Sequence, residues 1–340
     1  MHPGKVKRQP ANVVLADFSR EGEWPFLKAL ESGSGSEWIV RTKVTNRLHG
    51  GAVKNMLRMC WYFLFPLTIV FRRKRYGKIV GWQQFYGLNF AFWCRLFHLK
   101  KVNDLTVMTF IYKKRNGLAG NLYHRYMKYI VTSRYFDRFI CFSKKECEYY
   151  ASVFGVDADR FCFVPLGVAP VKDMDVADDG FLFATGRSNR NYDFLVDALS
   201  GTSIPVKIAC DSYVGQHIPD NIEVLRNCYG DDTFRLMAKC HCVLIPLEHL
   251  NMSSGHLVAL QAMSLGKPVI CTDADGIRDY VEAGKTGFLV PNKREAWLSA
   301  LEYLKDRNFY NKMSDVARKA YDTRFSEAVM HGRISELING

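Results

Sequence analysis

The stretch that decides the fold is residues 181–199, FLFATGRSNRNYDFLVDAL. Phe181–Thr185 is apolar and β-prone, and Gly186 ends it. Arg187 and Arg190 follow, and Tyr192 opens a run that sets Leu195 and Leu199 on one helical face. Strand, glycine turn and helix in so short a space form the repeating unit of parallel α/β sheets. Two guanidiniums in the turn are forked donors that match phosphate oxygens; the plain alternative is a basic loop bound only by water. The turn is neither a Gly-x-Gly-x-x-Gly fingerprint nor a phosphate loop, which argues against nicotinamide cofactors and P-loop NTPases.

Working outward, apolar runs alternate with helical patterns along the whole chain. In the first half strands are expected over Asn12–Ala16, Trp38–Arg41, Lys78–Gly81, Thr106–Phe110 and Arg138–Phe142, with helices over Phe85–Phe97 and Ala119–Thr132. In the second half strands are expected over Phe161–Pro165, Phe181–Thr185, Val206–Ala209, Ile222–Leu225, Cys242–Ile245, Val269–Cys271 and Gly287–Val290. Helices fit Tyr192–Leu199, Asp231–Ala238, His256–Leu265, Ile277–Glu282 and Arg294–Leu304. This alternation predicts two doubly wound parallel sheets, joined where Gly, Pro and Asp gather between residues 165 and 179. A chain of 340 residues suits two such domains. Ligands of these folds bind at the carboxyl ends of the strands, so the crevice between the domains is the expected site. Phe309–Ile338 reads as helix with no strand left to feed.

The chain is 48% hydrophobic and 24% charged, the composition of a globular protein. Its charge is uneven: residues 1–160 carry 28 Lys+Arg against 11 Asp+Glu, the rest 19 against 23. Such asymmetry points the N-terminal half toward something anionic, nucleic acid or acidic lipid. Met59–Phe71 (MCWYFLFPLTIVF) runs straight into Arg72, Arg73, Lys74 and Arg75. It is shorter than the ~20 residues that span a bilayer and contains Pro66. It reads equally as a membrane-surface segment with a basic flank or as a buried helix with charges at its exit. No RNA-binding consensus, zinc finger or repeat is present, and no specific nucleic acid is expected as a partner. With no leader stretch and no CxxC among ten cysteines, reduced thiols in a cytoplasmic setting are expected. Cys240-His241-Cys242 reads as buried core rather than a metal site.

A second motif is SSGHLVALQAMSLGKPVICTD, residues 253–273. Ser253 or Ser254 is placed to cap a helix, and Gly255 allows close approach to its backbone. Unpaired amides and the helix dipole there favour an anion, phosphate above all.

Four blocks in this order, residues 139–168, 181–199, 236–247 and 253–291, resemble the C-terminal half of the retaining GT-B glycosyltransferases of the family 4 type. The resemblance implies an α/β fold of the GT-B kind, two Rossmann-like doubly wound domains facing a central cleft. The boundaries it implies are an acceptor-binding, membrane-facing domain over 1–168, a nucleotide-sugar domain over 169–320, and a final helix over 321–340 crossing back to the first. Carried onto this sequence, Gly186 and Arg187 match the family's glycine-arginine at the donor diphosphate. Arg190 stands where a phosphate-binding lysine is usual, and these two arginines are the catalytic candidates. Ser254, Gly255, His256, Leu257 and Val258 match the turn whose amides face diphosphate and sugar. Gln261 and Ser253 fall on the family's two motif glutamates. Gln261 can accept from a ribose hydroxyl, while Ser253 is too short to replace the carboxylate at the sugar. Glu248 could supply one instead, though it reads equally as a solvated surface residue. Base contacts are expected near Leu225–Tyr229.

In the first domain TVMTFIYKKR (106–115) stands where relatives place a catalytic-site histidine, with Tyr112 and Lys113 at the position itself. Acceptor-side candidates are Asp17, Glu21, Trp82, Gln83, Tyr112 and Lys113. Trp82 and Tyr86 either stack on a sugar or belong to the core. No cofactor and no metal are expected, since guanidiniums and helix amides would neutralise the departing diphosphate. Asp273-Ala-Asp275 has the spacing of a metal-binding pair but reads as turn chemistry. The implied activity is transfer from a nucleotide sugar to a glycan or polyprenyl-diphosphate-linked saccharide in cell-surface polysaccharide assembly. The N-terminal half would lie on the anionic inner face of the membrane. Two alternatives stay open: a GT-B-fold sugar-nucleotide epimerase, and a non-catalytic homologue that only binds.

Overall fold

The structure, a computed structural model, describes residues 10–19, 22–45, 48 and 50–340. It divides into two compact units: the first runs to Val164 and includes His331–Gly340, and the second is Pro165–Met330.

The first unit holds β1 (Ala11–Ala16), β2 (Trp38–Thr42), β3 (Tyr76–Gly81), β4 (Asp104–Val107), β5 (Arg138–Cys141) and β6 (Phe161–Phe163). All are parallel, in the order β2-β1-β3-β4-β5-β6. Its helices are α1 (Pro25–Ser34), α2 (Ala52–Val70), α3 (Gln84–Leu96), α4 (Gly117–Val131) and α5 (Lys144–Phe154). Strand β3 and helix α3 approach so closely that a Cβ on Gly81 would lie 2.8 Å from the Gly87 Cα.

The second unit holds β7 (Leu182–Thr185), β8 (Val206–Ala209), β9 (Ile222–Leu225), β10 (Cys242–Ile245), β11 (Val269–Thr272) and β12 (Gly287–Val290). These are also parallel, in the order β12-β11-β10-β7-β8-β9. Its helices are α6 (Tyr192–Leu199), α7 (Asp231–Lys239), α8 (His256–Ser264), α9 (Arg294–Tyr303) and α10 (Arg307–Ala320). After a π-turn at Tyr321–Phe325 comes α11 (Glu327–Asn339), which begins in the second unit and ends in the first. There Ser335 Oγ donates to the Ala29 carbonyl at 2.6 Å and the Lys78 ammonium to the Ile338 carbonyl at 2.7 Å.

Alternation along the second sheet shows how it is covered. Leu182, Ala184, Cys242, Leu244 and Ile270 face a core completed by α6, α9 and α10. Phe183, Val243, Ile245, Val269 and Cys271 face the opposite core, completed by α7 and α8. Strands buried on both sides read as unbroken apolar runs, which is why these segments stand out in the sequence. Helix α8 is apolar all round because its outer side also packs, through Leu260 and Met263, against Tyr321 and Phe325.

Every expected strand is present, with two differences. Strand β4 stops at Val107, because Thr109 takes a left-handed backbone (φ 52°) that leaves the sheet. Strand β6 pairs with β5 and so belongs to the first sheet. The helix expected over Ile277–Glu282 is only a 3₁₀ turn, Ile277–Asp279; Gly284 (φ 74°) then turns the chain back to an Ala283–Gly287 bridge. The Met59–Phe71 segment is the back half of α2. Tyr62, Pro66, Ile69 and Val70 are buried in it, while Met59, Leu64 and Phe71 are exposed, so one side of it is core. No helix among the described residues is long and apolar enough to cross a membrane.

Candidate functional site

In the second sheet the winding reverses between β7 and β10, and the loops leaving these two strands part to opposite faces. An open α/β sheet binds its ligands at such a switch point. The loop after β7 carries Gly186–Asn191, and the loop after β10 runs to Gly255 at the start of α8.

One residue ties the two loops together. Asn189, itself left-handed (φ 55°), donates from Nδ2 to the His249 carbonyl at 3.0 Å and to Ser254 Oγ at 2.7 Å. Its Oδ1 accepts from the His249 amide at 2.7 Å. The Asn191 amide adds a bond to the Pro246 carbonyl at 3.1 Å. Sequence reasoning passed over Asn189. The signal was an asparagine between two arginines in a tight turn, a residue type that tolerates the left-handed region.

Neither serine caps α8, contrary to expectation. Ser254 Oγ is occupied by Asn189, and Ser253 lies against Gly276, where a Cβ would come within 2.7 Å of the Ser253 Cα. The first helical bond runs from the Ala259 amide to the Gly255 carbonyl. The amides of His256, Leu257 and Val258 are therefore left without a partner among the described residues, at the positive end of the helix dipole. Gly255 takes φ +85°, and a Cβ on it would meet Ile245 at 3.0 Å, so fold and backbone both demand glycine.

The two arginines differ. Arg187 is exposed and has no hydrogen-bond or ion-pair partner among the described residues. Arg190 is half-buried and braces its own loop. Nε donates to the Thr185 carbonyl at 3.2 Å and one terminal nitrogen to the Ser188 carbonyl at 2.9 Å. Its guanidinium lies over Gly186, where a Cβ would come within 2.6 Å of the other terminal nitrogen. Burial holds its pKa below the ordinary arginine value, yet a guanidinium stays charged. Beneath the helix start His256 is buried and stacked on Tyr280, ring centroids 4.4 Å apart. Burial, with a smaller push from the Arg190 charge, lowers its pKa to about 4. Its Nε2 has no hydrogen-bond partner among the described residues.

Beside the arginine loop lies a pocket of about 220 Å³, walled by Thr185, Gly186, Arg187, Cys228, Tyr229 and Gln261 among others. That is less than the ~300–1,000 Å³ of sites that enclose a drug-sized ligand, so it would house part of a large ligand. Gln261 and the Leu225–Tyr229 segment thus reach the same space as Gly186 and Arg187. The other expectations resolve locally. Val258 and His256 turn their side chains inward and Leu257 outward. Glu248 is exposed. Asp273 and Asp275 are both held by Arg278, at 2.6 and 3.2 Å. Cys240 and Cys242 are buried, and all ten cysteines are free.

The first sheet reverses between β1 and β3, and Asp17, Trp82 and Gln83 leave the strands there. Gln83 Nε2 donates to Asp17 Oδ2 at 2.9 Å, and its Oε1 caps α3 by accepting from the Phe85 amide at 3.1 Å. Trp82 is half-buried among Phe18, Trp24 and Phe26. Tyr86 and Tyr112 are core residues. The Tyr86 hydroxyl bonds the Lys43 carbonyl at 2.7 Å, and that of Tyr112 bonds His124 Nδ1 at 2.8 Å. Tyr112 turns inward, whereas Lys113 is exposed. Glu21 lies outside the described residues.

Comparison with known proteins agrees with this fold. Residues 182–306 match the family model for glycosyl transferases group 1, which covers a little over a third of the chain and most of the second unit. No curated protein matches the sequence. Among solved structures the chain is similar to HepE of Anabaena in complex with UDP (TM-score 0.66, 15% identity, 96% of this chain and 99% of that one). It is similar to a sucrose-phosphate synthase from Thermosynechococcus elongatus (TM-score 0.68, 15% identity, 96% and 98%). It is also similar to WaaG, a glycosyltransferase involved in lipopolysaccharide biosynthesis (TM-score 0.61, 13% identity, 96% and 100%). The whole chain thus shares the GT-B fold, and the group 1 glycosyl transferase signature lies in the second unit.

Proposed function

We propose that this glycosyltransferase moves a sugar from a nucleotide-sugar donor to a glycan or lipid-linked saccharide, with the donor diphosphate at the start of α8. The observation that carries the reading is the Asn189 clamp. It draws a loop bearing two arginines onto three unpaired helix amides, a set of donors that phosphate satisfies best. Arg187 supplies the mobile cation and Arg190 the brace. Gln261 accepts from a ribose hydroxyl, and the base lies toward Cys228 and Tyr229.

The proposed course is retaining. The acceptor oxygen attacks the anomeric carbon from the side on which the diphosphate departs. The carbon–oxygen bond to the diphosphate breaks, its electron pair stays on the phosphate oxygen, and the acceptor proton follows. The protein steadies the charge growing on the leaving group, with no metal or cofactor in the scheme. A lipid-linked acceptor would suit the basic first unit, and the enzyme would work as a peripheral protein on the inner face of the membrane.

A thermal-shift screen of UDP-, GDP- and dTDP-sugars tests the reading: one of them should raise the melting temperature. Arg187→Ala should weaken that donor by about 2 kcal/mol, the scale of a hydrogen bond to a charged group. A folded protein that responds to none of them sinks the proposal. Ser253 and Gln261, in place of two glutamates, favour a second reading, binding without turnover. Release of nucleoside diphosphate from the bound donor separates the two.

A further inference from the structure

The positive charge of the first unit is concentrated in one stretch. Between Glu37 and Asp137 stand 19 Lys+Arg and a single carboxylate, Asp104. Helices α2, α3 and α4 contain no acidic residue at all. A merely solvated surface mixes both signs.

On this surface α2 begins in the open. Every residue from Ala52 to Leu57 is exposed, with Val53 at 66% and Met56 at 60%, and Met59 and Leu64 are exposed further along. Helix α4 begins the same way, with Leu118 90% and Leu122 69% exposed. The two helices touch further along. The Phe63 and Tyr126 rings lie 5.9 Å apart, and both helices return from strands of one parallel sheet, so they run in the same direction. One turn back leads from Phe63 to Met59 and from Tyr126 to Leu122, and a second turn to Met56 and Leu118. Exposed apolar side chains at these positions thus gather at the carboxyl edge of the sheet, where both helices begin, and the exposed cations Lys54, Lys114, Arg115 and Arg125 stand beside them in the chain.

The geometry points to a docking surface for an anionic lipid bilayer: the first turns of α2 and α4 lie among the headgroups, and the surrounding cations meet acidic lipid. Apolar residues at the centre and cations around them are what an interface of that kind selects. A twofold dimer through this patch would set like charge against like charge. Nucleic acid would use the cations but not the exposed Met, Leu and Val. The inference rests on the membrane side of the proposed function and not on its donor side.

Cys60, on the same helix, is the one exposed cysteine, and it provides the probe. The full chain, labelled there with an environment-sensitive fluorophore, is mixed with phosphatidylcholine vesicles or with equimolar phosphatidylcholine and phosphatidylglycerol. Acidic vesicles alone should sediment the protein and shift the label to the blue, and salt should reverse both. Met56→Ser with Leu57→Ser should weaken partition at least about tenfold, as should Lys54→Ala with Lys114→Ala. Phe71→Ser, at the far end of α2, should leave it unchanged. A melt of each variant checks folding. Donor shift without vesicle binding overturns the surface alone, and vesicle binding without donor shift overturns the donor reading alone. Binding with an unmoved label, binding lost only in Phe71→Ser, or a lipid-free dimer that buries Cys60 would each assign the contact elsewhere.

Discussion

The two sheets are wound alike, yet their switch points are furnished differently. Between β7 and β10 stand an exposed guanidinium, a half-buried one used as a brace, three amides unpaired among the described residues and a pocket. Between β1 and β3 stand a carboxylate paired with an amide and a box of aromatic edges, Trp24 and Trp82 centred 4.7 Å apart. The first arrangement suits an anion. The second would suit a neutral, hydroxyl-rich ring, which stacks on aromatics and bonds a carboxylate. One fold thus offers the same opening twice, and a handful of side chains decide what enters each.

The largest effect that would break the comparison is expected at Gly186. Its backbone (φ +116°) disfavours any side chain, and a Cβ would strike the Arg190 guanidinium. Gly186→Ala should lower stability by roughly 3 kcal/mol in denaturant unfolding, combining backbone strain with overpacking. It should also abolish the donor-induced thermal shift. A stable variant that still responds to donor would show that the loop is not held in one shape.

The strands and α8 were legible because burial on both faces leaves continuous apolar runs that no surface segment imitates. The arginines were legible as charges in a turn, but their division of labour was not. Sequence cannot tell which guanidinium finds carbonyls of its own loop. Ser254 looked like a cap from its place before a helix, and only a contact with Asn189, far along the chain, decides otherwise. The same holds for α2. One side of its apolar stretch is core, and further exposed apolar residues lie a turn or two earlier, where Val53, Met56 and Leu57 are diluted by Lys54 and Asn55. Tyr112 turns inward for a like reason, since the turn at Thr109 redirects the chain after β4.

A smaller effect separates the switch points by acid. His256 titrates at about 4 in the folded protein, against an ordinary value of 6.5. Between these values the unfolded chain binds a proton that the folded one refuses, so stability rises with pH across the window. The contribution is complete above about 6.5, is lost as pH falls toward 4, and is on the order of 3 kcal/mol. Denaturant unfolding from pH 7 to pH 4.5 should show a steeper loss in the natural chain than in His256→Gln. Equal slopes would mean that the ring is not held neutral under the helix. A bound diphosphate should moderate the loss, because an anion above the ring favours its charged form.

The smallest effect tests the other opening. Gln83 joins two functions in one side chain, capping α3 and fixing Asp17. Gln83→Ala removes both bonds, but Asp17 is half-buried and water can replace the lost donor. The expected cost is therefore about 1 kcal/mol, the scale of a helix cap rather than of a buried ion. What matters is where the change is felt. If the two switch points serve different ligands, the donor-induced thermal shift should stay as it is while transfer to an acceptor slows. A donor shift that falls with Gln83 would mean that both openings serve one ligand, and the contrast between a cationic and an aromatic switch point would then describe two parts of a single site.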